Sequence, residues 1–375
     1  MEGFWQRKRA LITGHTGFKG GWLALWLQRL GAQVLGYSLP APTQPSLYES
    51  ARVSESVQGV IADIRDLERL KAVFREFSPE VVFHLAAQSL VRASYDSPVE
   101  TYSTNVLGTV HVLEAVRHTK SVRSAVMVTT DKCYENRESA TGYRETDRLG
   151  GHDPYSNSKA CAELAIDSYR RSFFSSAGTA AVASARAGNV IGGGDWAMDR
   201  LIPDLVRAAV AGKPLVLRNP KSTRPWQHVL EPLSGYLMLA QRLWDERARY
   251  AEAWNFGPRD EDDRTVENIV ALAARRWGDP LKWTVDDGPR PHETVMLKLD
   301  CSKAASVGWR PLLRVEQAVD WTIEWYRAWH DKRDVKALAF EQIERYSRLF
   351  AGGRPACPPA ASVARGWYTL SPTSG

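Results

Sequence analysis

Two short stretches of this 375-residue chain carry proton-transfer groups at spacings that chemistry can use. In DPYSNSKACAE, Lys159 follows Tyr155 at i+4, and on a helix that spacing sets both side chains on one face. A phenol with an ordinary pKa near ~10 is a poor base at neutral pH, but a nearby ammonium favours its phenolate. Read alone, a Tyr–Lys pair is more often a surface contact than a catalytic one. The second stretch, VTTDKCYEN, reads as a buried strand that ends by setting Asp131 against Lys132, directly after Thr129 and Thr130. Strand-to-helix loops are polar, so this acid–base pair on its own reads as two solvated side chains.

The element upstream reverses both readings. An N-terminal apolar strand runs into GHTGFKG, where Gly14, Gly17 and Gly20 alternate with Thr16, Phe18 and Lys19, and the amphipathic WLALWLQRL follows. Three glycines between strand and helix allow a tight turn and close backbone approach to a pyrophosphate, and the helix N-terminus offers it free N–H groups. The same fingerprint expects an acid at the end of the second strand to hold the adenosine ribose. That end reads GYSLPAP, with neither a carboxylate nor an arginine cluster, so this rule leaves NAD and NADP undecided. Asp63, followed by Ile64, is placed either to hold an adenine amino group or to cap a helix. Leu85, Ala86 and Ala87 close the fourth strand with small residues that suit backbone packed on a dinucleotide. Thr129, Tyr155 and Lys159 complete the candidate cofactor set, the lysine reaching the nicotinamide ribose.

These groups need a scaffold, and the hydrophobic pattern supplies one. Apolar runs of strand length fall at Ala10–Thr13, Gln33–Tyr37, Val57–Ile61, Val81–Leu85, Ala125–Thr129 and Ala180–Arg186. Segments of helical period separate them, among them Trp22–Leu30, Leu67–Phe77 and Val106–Val116. Such alternation predicts an α/β fold, a Rossmann-type doubly wound parallel sheet with helices on both faces. Beyond Gly188 come Gly/Pro-rich loops, short strands at Leu215–Leu217 and Lys282–Val285, and several helices. We read residues 1–187 as the dinucleotide-binding domain and 188–350 as a smaller, mixed α/β substrate domain, with about 225–256 returning to the first. The Pro, Gly, Ala and Ser-rich stretch 351–375 is expected to be disordered.

Composition narrows the class. A hydrophobic fraction of 44% with 25% charged residues is ordinary for a globular protein. No apolar run approaches the ~20 residues needed to span a bilayer, and the first strand follows too closely on the N-terminus for a signal peptide. The four cysteines (Cys133, Cys161, Cys301, Cys357) lack paired spacing, so no metal site or disulfide framework is expected, and reduced thiols fit a cytoplasmic protein. The net charge of +6 is spread along the chain without a basic run, which fits an anionic small molecule and gives no sign of nucleic-acid binding. Most of the fourteen tryptophans stand at helical spacings, such as Trp22 and Trp26 or Trp321, Trp325 and Trp329, and read as core.

The glycine triplet, the strand-end Thr129-Thr130 and the YxxxK pair together resemble the extended short-chain dehydrogenase/reductase family. Within it, TTDKCYEN, PYSNSKACAE, GNVIGGGDWAMDRLIPD and RPWQHVLEP are similar to the nucleotide-sugar 4,6-dehydratases, and in particular to those acting on CDP-glucose. The similarity covers roughly residues 5–330. Related dTDP-glucose enzymes carry Thr-Asp-Glu where this chain has Thr130-Asp131-Lys132, and sugar epimerases of the family lack the acid–base pair. The resemblance implies NAD as cofactor and Thr130, Asp131, Lys132, Tyr155 and Lys159 as the catalytic set. Tyr155 would take the proton of the sugar 4-hydroxyl, Asp131 would protonate the departing 6-hydroxyl, and Lys132 would remove the carbon 5 proton or stabilise the enolate. Burial would have to raise the pKa of Asp131 and, together with Lys159, lower that of Lys132. Gln88, Asn189, Arg200, Leu201, Arg224 and Arg290 match substrate-binding positions, guanidinium suiting phosphate oxygens. Glu231 stands where many relatives have aspartate. Pairing through the helices of Val106 and Ala160 would give a homodimer, with a tetramer as the alternative. The rival readings are another nucleotide-sugar dehydratase, a 4-epimerase, or a sensor that keeps the fold for binding alone.

Overall fold

Seven parallel strands centre the computed structural model, which describes residues 2–139, 141–278, 282–286 and 297–352. They are β1 Arg9–Thr13, β2 Gln33–Ser38, β3 Gln58–Ile61, β4 Val81–His84, β5 Ser124–Val128, β6 Ala181–Arg186 and β7 Ala253–Asn255. Their order is β7-β6-β5-β4-β1-β2-β3, all pairs parallel. The direction of winding reverses between β1 and β4, and a doubly wound sheet opens its ligand crevice there, beyond the carboxyl ends of the strands. The Rossmann-type fold read from the sequence is the observed one.

The inner strands β1, β4 and β5 are buried on both faces because both faces are covered, whereas edge strand β3 is largely exposed. Alternate residues of β5 serve different layers: Val126 and Val128 pack with Trp22, Trp26 and Leu233, while Ala125 and Met127 pack with Phe74, Val112 and Ile166. The covering helices are α1 Phe18–Arg29, α2 Leu67–Phe77, α3 Gly108–Arg117 and α4 Pro154–Phe173. The bounds of α2 are those its period predicts. α1 begins earlier than Trp22, inside the glycine turn. α3 continues a helical stretch that starts at Pro98, passes through a π-turn at Ser103–Leu107, and so begins well before Val106.

After β6 the chain builds α5 Leu201–Val210, α6 Leu230–Glu246, α7 Val266–Trp277, α8 Val315–His330 and α9 Val335–Gly352. α6 packs on β5 and β6, and α9 packs back on α1. Leu215–Leu217 pairs in parallel with Trp283–Val285, giving a small second layer over the crevice. Trp22, Trp26 and Trp325 are fully buried and Trp321 nearly so, in line with a core role. Positions 353–375 of the expected tail lie outside the described residues. No described helix is long and apolar enough to cross a membrane.

Candidate active site

The glycine turn and the end of β4 are pressed together. Gly14 has φ +82°, and a Cβ there would come within 2.7 Å of the Ala86 nitrogen. At Gly20 a Cβ would lie 2.0 Å from the Gly14 carbonyl oxygen, so only glycine lets α1 start this close to β1. Thr13 Oγ1 accepts from the Leu85 and Ala86 amides at 3.2 Å each, fixing the second wall. Thr16 donates to the Leu39 carbonyl at 2.9 Å. The N-cap of α1, Gly17, has no side chain to cap the helix, which leaves its first N–H groups for an anion. This cradle fits a dinucleotide pyrophosphate. Asp63 lines the same cleft with its carboxylate held by Arg65 at 2.5 Å, and the cap of α2 is Asp66 instead.

At the ends of β5 and α4 the proton-transfer groups converge. Lys159 and Tyr155 are both buried, and Lys159 Nζ donates to the Val128 carbonyl at 3.4 Å. Burial pushes the Lys159 pKa down to about 8, against the opposing pull of Glu163 and Cys133. Burial also pushes Tyr155 up to about 12, with the Thr130 hydroxyl acting in the other direction. The expected lysine-favoured phenolate is therefore not what the protein alone provides. Desolvation of the anion outweighs its neighbours.

Asp131 and Lys132 part company. Asp131 is 2% exposed and accepts from Thr130 Oγ1 at 2.9 Å, with its carboxylate against Gly188. Lys132 is only half-buried on the cleft wall, so the burial expected of it falls on Asp131 and Lys159. A solvated-loop reading would have both side chains in water. Lys19 also reaches this region. Burial lowers its pKa to about 8, helped by Arg200 and opposed by Asp131.

The opposite wall carries the cations. Arg200 pairs with Asp195 at 2.8 Å and donates to Ser89 at 3.3 Å, Leu201 opens α5, and Asn189 and Arg224 line the same space. Arg290 lies outside the described residues. All the other expected site residues, from Gly14 to Arg224, border one cleft of about 1520 Å³. Gln88 is among them, but its amide is turned onto its own loop: it donates to Leu90 O and Thr101 Oγ1 at 3.0 Å each and accepts from Leu90 N at 2.5 Å. Sequence reasoning missed Asp195, the anchor of Arg200, whereas Asp199, which the resemblance places beside Arg200 at the diphosphate, joins Arg92 to Arg218 across the cleft. It also missed Glu163 and Arg186, a buried pair at 2.7 Å behind Lys159. Only Glu163 left a local trace, one turn after Lys159 in SKACAE.

A family model described as GDP-mannose 4,6 dehydratase matches residues 11–322. A CDP-glucose 4,6-dehydratase of Salmonella typhimurium is 53% identical over 350 residues, which cover 92% of this chain and 98% of that relative. Among solved structures, a UDP-glucose 4-epimerase of Thermus thermophilus in complex with NAD aligns with TM-score 0.73 at 25% identity, covering 85% of this chain and 99% of the other. A dTDP-glucose 4,6-dehydratase of Bacillus anthracis in complex with NAD shares the fold at TM-score 0.72 and 23% identity, over 88% of this chain and 99% of that one. With a family match running through both the glycine turn and the cation wall, this chain belongs to the GDP-mannose 4,6 dehydratase family, within the extended short-chain dehydrogenase/reductases.

Proposed function

We propose that this enzyme converts CDP-glucose to CDP-4-keto-6-deoxyglucose and water with NAD as cofactor. The observation that carries the reading is Asp131: a buried acid bonded to Thr130, at the strand end that Tyr155 and Lys159 face. When bound, NAD supplies a hydride acceptor for carbon 4 of the sugar and then a hydride donor for carbon 6. Tyr155 takes the proton of the 4-hydroxyl, which Thr130 orients by hydrogen bonding. The carbon 4 ketone acidifies the proton on carbon 5. Lys132 removes that proton or stabilises the resulting enolate as an ammonium, while Asp131 protonates the departing 6-hydroxyl. The hydride lost from carbon 4 is returned to carbon 6, so there is no net redox change; the proton lost from the 4-hydroxyl balances the one that leaves in water, and carbon 5 regains its proton.

In this reading the turn Gly14–Gly20 and the start of α1 hold the NAD pyrophosphate. Asp63, Ile64, Leu85, Ala86, Ala87 and Thr129 border the rest of the cofactor, with Lys159 on the nicotinamide ribose. Asn189, Arg200, Leu201 and Arg224 take the nucleotide diphosphate, with Arg290 assigned by resemblance. Gln88 is on this proposal a loop-shaping residue at the sugar site. We assign residues 1–187 with 225–256 to cofactor binding and the remainder to 350 to substrate binding.

The test is incubation of the purified protein with NAD and, in turn, CDP-, dTDP-, UDP- and GDP-hexoses, scored by the alkaline absorbance of a 4-keto sugar. Turnover confined to CDP-glucose is expected, and preference for another nucleotide sugar would overturn the substrate assignment. We further propose a cytoplasmic homodimer. Val99 (82% exposed), Leu107 (53%) and Leu164 (60%) leave an apolar face on the Pro98–Arg117 and α4 helices. Ala160 itself is buried inside the protomer, so this face and not Ala160 would make the contact. Light scattering at a monomer mass would refute it.

A further inference from the structure

Glu163 follows Lys159 by one turn on α4 and is 2% exposed. Its carboxylate joins three elements. From β6 it accepts Arg186 Nη2 and Ser184 Oγ, each at 2.7 Å, and from the end of β5 it accepts the Thr129 hydroxyl. Arg186, 3% exposed, also donates to Tyr134 Oη at 2.6 Å and to the Glu145 carbonyl at 3.2 Å. Tyr134 in turn donates to Asn255 Oδ1 on β7 at 2.8 Å. A buried ion pair is a poor device for stability, because desolvation offsets its attraction and an apolar pair of similar volume often serves as well. Its position here points to another use.

We propose that Glu163, anchored by Arg186, is a positioning residue for the reaction: it fixes the strand end that carries Thr130, Asp131 and Lys132 and keeps the buried Lys159 ammonium charged. The inference rests on the role given to Lys159 above. Lys159 and Glu163 grip the same strand end, one at the Val128 carbonyl and the other at the Thr129 hydroxyl. The groups facing Lys159 are Tyr155 and Glu163 on its own helix, Cys133 after β5, His84 on β4 and Lys19 from the glycine turn. Burial keeps His84 neutral and raises the Cys133 pKa, and Lys19 is itself a cation. Burial also works against the Glu163 charge, but Arg186 and the two hydroxyls outweigh it and hold the carboxyl below its ordinary range. Glu163 is therefore the anion among these neighbours. With it removed, the Lys159 pKa falls further and the ammonium is lost at lower pH.

The test compares wild type with Glu163→Gln, with Glu163→Asp, which keeps the charge, and with Glu163→Gln/Arg186→Met. The double variant removes both charges together, so no unpaired ion stays buried if the single variant fails to fold. Lys159 is titrated in cofactor-free, ¹³Cε-lysine-labelled protein by NMR, assigned by difference from Lys159→Met, and kcat is followed against pH. The Lys159 midpoint is expected to fall by about one pH unit in both Gln variants, with the alkaline limb of kcat moving down in step, and to return in Glu163→Asp. An unchanged midpoint, with kcat reduced equally at every pH, would leave Glu163 a structural residue only and overturn the proposal. Failure of the parent reading shows separately, as wild-type turnover by Tyr155→Phe, and leaves the NMR titration still decisive for Glu163.

Discussion

The Asp131 carboxylate rests on the Cα of Gly188, where an added Cβ would come within 1.8 Å of Oδ2. Gly188 follows β6 and Asp131 follows β5, so paired parallel strands bring the two together at the mouth of the cleft. The contact leaves no room for a methyl group. In the proposed mechanism, this contact lets the backbone after β6 help to aim the acid at the substrate.

Gly188→Ala tests that aim. Gly188 is not among the residues with positive φ, so the backbone accepts alanine and the clash falls on the carboxylate. Displacing Asp131 from Thr130 should lower kcat by ~10²–10⁴-fold, the range for a positioned acid–base group. Reduced-cofactor absorbance should still rise on mixing with substrate, because the oxidation at carbon 4 does not use Asp131. Turnover at the wild-type rate would mean that the position of the carboxylate does not govern the elimination.

Tyr155→Phe removes the group proposed to take the proton of the 4-hydroxyl and keeps the ring in its buried place. Oxidation at carbon 4 should slow by ~10²–10⁴-fold, seen as loss of reduced-cofactor absorbance in a single turnover. Thermal unfolding should change little, since the phenol gives up solvation to sit in the site and burial already pushes its pKa up to about 12. Near-normal oxidation by the Phe variant would remove Tyr155 from the mechanism.

Much of this architecture is legible in the chain because burial on both faces writes continuous apolar runs, as in VVFH of β4 and SAVMV of β5, all of whose residues are buried. The glycine turn and the Tyr155–Lys159 spacing are equally local signals. What escapes is long-range. The start of α1 depends on how closely Gly20 approaches Gly14, which the apolar period beginning at Trp22 does not record. The Glu163–Arg186 pair joins positions 23 residues apart through a strand whose ASAR ending gives no sign of it. Gln88 looks free for substrate until Leu90 and Thr101 are seen to hold its amide. The protonation of Tyr155 depends on depth of burial, which residue spacing does not encode.

Glu231 makes stability pH-dependent. Fully buried at the start of α6, it accepts from Leu312 N at 2.9 Å, Leu313 N at 2.6 Å and Tyr346 Oη at 2.7 Å, tying α9 and the loop before α8 to the core. Burial nevertheless raises its pKa from 4.5 to about 7. Between those values the folded protein keeps a proton that the unfolded chain has released, so stability falls as pH rises through this window and is level above it. Glu231→Gln keeps most of the hydrogen bonds and abolishes the titration. Its Tm relative to wild type should therefore climb between pH 4.5 and 7 by an amount corresponding to ~2–4 kcal/mol. A Tm difference that stays flat across this range would show that Glu231 does not carry the proton.

Asp131 and Lys132 should separate the later steps from the first. Asp131→Asn keeps size and polarity but removes the proposed proton donor to the 6-hydroxyl, while Lys132→Met keeps the aliphatic stem and removes the proposed proton acceptor for carbon 5. Neither group is needed for hydride to leave carbon 4, so both variants should still show reduced-cofactor absorbance with substrate and yield little 4-keto-6-deoxy product. They should differ in one respect. Lys132→Met should slow exchange of the carbon 5 proton with solvent deuterium, whereas Asp131→Asn should largely spare it, because the ketone alone acidifies that position. The structure sharpens the contrast: Asp131 is buried against Gly188 and Lys132 half-buried on the cleft wall, so each variant alters a different side of the sugar site. Absorbance and deuterium incorporation, read together by stopped flow and mass spectrometry, decide it. Normal product formation by Asp131→Asn would transfer the acid role elsewhere, and normal exchange in Lys132→Met would leave its ammonium an electrostatic support for the enolate.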